Sequence, residues 1–168
     1  MNPEKIRIYW DAARVVRYHT AQTLRTQNLA DHQWGVAMIV SAVAGEHLTV
    51  ELLKAALAHD LSEKVTGDVP APAKWASESL TTVLKTWEDQ YHEDHSLNYT
   101  LTKAQLSILK WADMCELFLF CLNERELGNT KMFKLAQAVY PHLKTFPTEE
   151  AKEFLKDVIV ERAWHERE

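Results

Sequence analysis

The chain has 168 residues, 46% of them hydrophobic, and a formal charge of −5 from 19 Lys and Arg against 24 Asp and Glu. That length and apolar content suit one core, hence a single domain over residues 1–168. Dispersed basic residues on an acidic chain exclude a surface that tracks polymeric DNA or RNA, and no apolar run approaches the roughly eighteen residues of a membrane span.

With four glycines and no period-two segment between turn signals, the pattern is all-α, a bundle of about six to seven amphipathic helices joined by short loops. The first helix is expected over residues 4–19, followed by the polar loop "TAQTLRTQN". Asn28 suits the N-cap of a second helix ending near Gly45, and Thr49 that of a third stopping near Gly67. Pro70 and Pro72 then restrict the backbone, so residues 66–72 should form a stiff loop before a helix rich in Trp87 and Tyr91. A long helix starts near Lys103 and ends at "ELGN", where Gly128 suits a left-handed cap, and residues 130–145 and 148–168 complete the bundle. The two cysteines, Cys115 and Cys121, lack CxxC or finger spacing and are expected to be reduced core thiols. The N-terminus, without a basic segment leading into an apolar run, points to a protein that is not exported.

Several polar groups lie where apolar ones are expected. In the second helix Leu29, His32, Val36, Ile39 and Val43 form one stripe, so His32 points toward the core. In the third, Leu52, Ala56, His59 and Glu63 share a face with Asp60 one step around. In the long helix Asp113 interrupts the stripe Leu106, Leu109, Leu117 and Phe120, and an unpaired buried carboxylate is costly. Two inward histidines and two inward aspartates from three helices are satisfied economically by a divalent cation, with His32, His59, Asp60 and Asp113 as ligands. A buried His-Asp hydrogen-bond network is the alternative that periodicity leaves open. Nitrogen and oxygen donors of this kind suit Zn, Co, Mn, Mg or Fe, and such sites expand to admit water and phosphate.

The order His32, then "HD" at 59 and 60, then Asp113 in "ILKWADMCE" resembles the HD-domain metal-dependent phosphohydrolases, whose helical fold holds one divalent ion by these four groups. The stretches "LRTQNLADHQWGVAMIV", "AHDLSEKVTGDVPAPAKW" and "ILKWADMCELFLFCLNERELGN" are similar to the bacterial 5'-deoxynucleotidases and to the related compact phage dATP triphosphohydrolases. The resemblance covers about residues 17–129. It implies that Glu63 and Asp68 act beside the metal on the attacking water or a second ion, and that Arg17 binds phosphate. Lys74 and Lys110 are further candidates for phosphate, though all three cations could instead be surface charges. Arginine's planar fork makes Arg17 the best suited of them.

Relatives carry tryptophan after this arginine, crowding the sugar against a 2'-hydroxyl, whereas this chain has Tyr18, which weakens the expected preference for deoxyribose. Thr20 is expected to face the nucleotide and Pro72 to pack on the base, unless both are ordinary loop residues. A cation held by these ligands would lower the pKa of water and polarise a phosphoryl oxygen, the two effects phosphoester hydrolysis most requires. The same set would serve hydrolysis of a deoxynucleoside triphosphate at the α-phosphate, releasing triphosphate, or removal of phosphate from a 5'-monophosphate. The short segment between "TGDVPAPAKW" and "ILKWAD" favours the triphosphohydrolase. A nucleotide-binding module without catalysis would lack the acid groups Glu63 and Asp68. The expected partners are a deoxynucleotide and further copies of the chain, since relatives are homo-oligomers, with no nucleic-acid polymer and no membrane. The expected location is the cytoplasm, that of the host for a phage protein.

Overall fold

A computed structural model describes residues 3–161, apart from the side chains of Glu4, Lys5, Pro72 and Trp75. The last seven residues of the expected final helix, 162–168, lie outside the described residues. The helices are α1 (Pro3–Ala12), α2 (Leu29–Val43), α3 (Val50–Ala56), α4 (Glu63–Thr66), α5 (Ala71–Ala76), α6 (Glu78–Asp94), α7 (Lys103–Glu126), α8 (Thr130–Leu143) and α9 (Glu149–Glu161). A 3-10 turn, Gly45–His47, joins α2 to α3. No strand interrupts them among the described residues, so the all-α reading holds. Among the same residues, no helix is long and apolar enough to cross a membrane.

The helix starts follow from side-chain caps. Asn28 accepts from the amide of Asp31 while Asp31 accepts from that of Asn28, and Thr102 and Gln105 form the same reciprocal box at α7. Thr49 caps α3 through the Leu52 amide. Gly128, at φ 101°, follows the C-cap Leu127 of α7 in the left-handed region, as its sequence context requires. Around the central helix α7 pack α2, α3 and α8, and α2 also packs on α9. Their shared core includes Val36, Val40, Leu52, Ile108, Phe118, Leu122, Leu143 and Leu155, each essentially free of solvent, with both cysteines buried and unbridged among them. A smaller cluster of Ile8, Leu29, Ala58, Leu61, Tyr91 and Leu97 seats α1 and α6 against the segment after α3.

Two expected helices are divided. The first stops at Ala12, and residues 13–28 form an extended excursion in which Leu29 N donates to Val15 O (2.8 Å) and Arg17 N to Gln27 O (2.9 Å). The valine pair Val15–Val16 favours such extended backbone. The third expected helix breaks after Ala56, because His59 Nδ1 donates to the Ala56 carbonyl at 2.9 Å, occupying an acceptor that a continuing helix would use. Residues 57–66 then stay wound by shorter i→i−3 bonds, such as Glu63 N to Asp60 O at 2.9 Å. Pro70 and Pro72, expected in a loop, instead open α5, where a missing N–H costs nothing.

Candidate metal centre

The four groups expected to bind a cation meet. His32 comes from α2, His59 and Asp60 from the turn after α3, and Asp113 from α7. His32 Nε2 lies 3.3 Å from His59 Nε2, 3.5 Å from Asp60 Oδ2 and 3.2 Å from Asp113 Oδ1. His59 Nε2 lies 3.4 Å from the Asp60 oxygen and 3.9 Å from the Asp113 oxygen. Donors about 2.1 Å from a common ion stand ~3.0–3.4 Å apart at octahedral or tetrahedral angles, so this spacing is near what a small divalent ion demands.

The tautomers follow from the neighbours. His32 Nδ1 faces the carboxylate of Glu116 at 2.6 Å and His59 Nδ1 faces the Ala56 carbonyl at 2.9 Å; both partners accept only, so each Nδ1 carries the proton. Each Nε2 then presents a lone pair to the other and to two carboxylate oxygens. Such a gathering of acceptors needs positive charge in its middle. Burial alone would strip the proton from His32 and His59, but the surrounding carboxylates outweigh it and raise both pKa values. Burial likewise opposes ionisation of Asp60 and Asp113, and the two imidazoles overcome it, holding both carboxyl groups below the usual range. The donor set therefore fits a divalent cation, which satisfies the same charge demand in exchange for protons.

Asp113 departs from expectation in one respect. Its side chain is 45% exposed, because the stripe through Leu106 and Leu109 lies at the rim of α7, while the deeply buried face runs through Ile108, Ala112 and Cys115. The cluster is therefore open on the α7 side, whereas His32 is sealed at 0%.

Arg17 Nη1 donates to Asp60 Oδ2 at 3.1 Å and stands 3.7 Å from Glu63 Oε2, and its Nε is enclosed without a partner. Glu63, from the first turn of α4, is buried. Desolvation, followed by repulsion from Asp60, pushes its carboxyl up to about 8 against the pull of Arg17. Asp60, Glu63, Gly67 and Lys74 line a small cavity of about 50 Å3 together with Leu84 and Trp87 of α6. Asp68 accepts the Tyr18 amide at 3.0 Å. Tyr18, at φ 55°, stacks its ring on Phe120 of α7 with centroids 4.6 Å apart and its hydroxyl enclosed. Neither Tyr18 nor the exposed Thr20 lines the cavity beside Glu63. Lys110 stands exposed one turn before Asp113, without an ion pair among the described residues, and the side chain of Pro72 lies outside the described residues.

Two glutamates that periodicity did not single out complete the arrangement. Glu116, one turn after Asp113, holds His32 and accepts from Gln27 Nε2 at 2.7 Å. Glu124, with no solvent exposure, accepts from the amides of Leu24 (2.7 Å) and Arg25 (2.8 Å) and from Asn129 Nδ2 (2.7 Å), pinning the excursion to the end of α7. The spacing of Glu116 from Asp113 was the available signal for the first; nothing in the local sequence marks the second.

Comparison with known proteins agrees with this geometry. Residues 10–162 match the family described as 5'-deoxynucleotidase YfbR-like. The 5'-deoxynucleotidase YfbR of Salmonella typhi is 29% identical, with 72% of each chain covered, and a 5'-deoxynucleotidase of Photobacterium profundum is 24% identical, covering 86% of this chain and 87% of its own. Among solved structures, an HD-domain phosphohydrolase from Listeria innocua superposes with a TM-score of 0.79 at 20% identity, over 97% of this chain and 90% of its own. The cyanophage S-2L HD phosphohydrolase DatZ, bound to dA and one catalytic Zn2+ ion, gives 0.69 at 24% identity, over 92% and 96%. With its all-α fold and its His and Asp cluster, the chain is an HD-domain hydrolase and belongs to the YfbR-like 5'-deoxynucleotidase family.

Proposed function

We propose that the protein is a metal-dependent 5'-deoxynucleotidase that releases phosphate from deoxynucleoside 5'-monophosphates. The observation that carries this reading is the convergence of His32, His59, Asp60 and Asp113 directly beside Arg17 and the buried Glu63. A divalent ion held by the four groups supplies positive charge for the phosphoryl oxygens and lowers the pKa of water. Arg17, locked by Asp60 and retaining unspent donors, orients a phosphate oxygen. Glu63 keeps a proton to about pH 8 and gives it to the departing 5'-oxygen, a role that wants a pKa near the working pH. The cavity beside it, about 50 Å3, has room for a few waters. Lys74, which lines it, adds positive charge there.

A second reading, hydrolysis of dATP or another deoxynucleoside triphosphate at the α-phosphate, draws support from the short segment between "TGDVPAPAKW" and "ILKWAD". Product chromatography decides between them. Metal-loaded protein is incubated separately with dAMP, dATP, dGTP and ATP. Phosphate from dAMP with the triphosphates untouched is the expected result. Deoxyadenosine plus triphosphate from dATP overturns it in favour of the second reading, and loss of neither substrate overturns both.

A further inference from the structure

One buried carboxylate beside the cluster, Glu116, is not one of its candidate ligands. Glu116 spends one oxygen on the Nδ1–H of His32 at 2.6 Å and the other on Gln27 Nε2 at 2.7 Å, so no oxygen is left to approach an ion. Its two partners are an imidazole and a neutral amide, both buried. A carboxylate shut away with neutral donors is an expensive way to fix an imidazole, since a backbone carbonyl does the same for His59 without charge. The cost is recovered if positive charge sits on the far side of His32. An anionic acceptor on Nδ1 makes Nε2 a stronger donor to that charge, the relation found where carboxylates back metal-bound histidines.

The backbone has been shaped to admit Glu116. Gly35 lies in the interior of α2, at a point where its own φ needs no glycine. A Cβ at this position would stand 2.8 Å from Glu116 Cγ, closer than side chains pack. Glycine weakens a helix interior, and the space it leaves is filled by the stem of Glu116. Gln27, the second partner, holds the Arg17 amide through its carbonyl at 2.9 Å. The same carboxylate thus braces His32 directly and the segment carrying Arg17 through Gln27.

We propose that Glu116 is a positioning residue of the metal centre, setting the orientation of His32 and the affinity for the ion through its negative charge, and that Gly35 exists to let it approach. This rests on reading the four-residue cluster as a metal centre. The test is the dissociation constant of the metal-free full-length protein for Zn2+, by chelator competition, for the wild type, Glu116→Gln, Gly35→Ala and the double variant, with the Co2+ absorption spectrum of each. Glu116→Gln keeps an acceptor and the shape but loses the charge, and is expected to weaken binding 10- to 100-fold and to shift the Co2+ bands. Gly35→Ala is expected to weaken it too, and the two losses to combine to less than their product in the double variant, because both act through one contact. Wild-type affinity in Glu116→Gln overturns the proposal, and independent, additive losses overturn the role of Gly35. Should Glu116→Gln fail to fold, unchanged affinity in Gly35→Ala overturns it. If the wild type binds no ion, the metal reading falls and this inference with it, whereas equal binding by wild type and Glu116→Gln removes this inference alone.

Discussion

His59 faces two ways: its Nδ1 ends a helix by taking the Ala56 carbonyl, and its Nε2 joins the cluster. Asp60 beside it receives Arg17. Replacing either, His59→Ala or Asp60→Ala, should abolish hydrolysis and metal retention together, read by product release and by metal analysis after desalting; full activity with no metal retained refutes the reading. Glu63 separates binding from chemistry. Acting as an acid, it must be protonated, so the rate should fall as pH rises through about 8. Glu63→Gln should retain the metal, lose activity by about two to four orders of magnitude, and show no such alkaline limb. A persisting limb would assign it to another group. At this scale the sequence discloses polar residues that interrupt apolar stripes, which is why His32 and the "HD" pair stand out. It does not disclose Glu116 or Glu124, because a glutamate on a helix reads as a solvated charge unless the residue it meets, 84 or 100 positions away, is known.

Helices declare themselves where their ends carry caps, as at Asn28, Thr49 and Gly128. The excursion 13–28 and the break after Ala56 do not, since both are decided by hydrogen bonds to distant partners rather than by propensity. Glu124 is the anchor of the excursion. Burial by itself would raise its carboxyl, but donors from Leu24, Asn129 and Arg25 bring it below its ordinary 4.5. Its ionised form therefore contributes stability above that value, and the contribution is lost as pH falls through the depressed folded one. Glu124→Gln should cost about 2 kcal/mol at neutral pH, as hydrogen bonds to a charged group are lost. The gap from wild type in urea melts should close in acid; a gap independent of pH would show that the charge contributes nothing. The excursion carries Arg17, so phosphate binding should weaken with it.

For the whole molecule, the large hydrophobic core is set by α2, α7, α8 and α9, and the apolar segment "WADMCELFLFCLNE" goes largely into it, with Trp111, Phe118 and Phe120 buried. Self-association, if the chain has it, would then use other surfaces. Trp10 and Trp34 are 69% and 65% exposed, and Trp34 with Met38 borders a cavity of about 550 Å3 between α2 and α7. Apolar surface of this kind is characteristic of interaction sites. Light scattering should accordingly give a mass that is a multiple of 19.4 kDa, falling to one chain in Trp34→Glu if this face is used. A single-chain mass in the wild type refutes self-association. The all-α class was legible because four glycines and unbroken helical periodicity leave little else; how the helices cross was not, because crossing depends on contacts such as Gly35 against Glu116.

The anchor at Glu124 also orders events in time. Arg17 reaches its place only after residues 24 and 124 meet, and His32 is braced only after 32 and 116 do, loops whose closure must be paid in entropy before the contacts return anything. A ribosome-bound chain that ends before α7 has no cluster at all. Ion capture should therefore come late, as the seal on a chain already folded, and a protein loaded with metal should unfold far more slowly than it would without one.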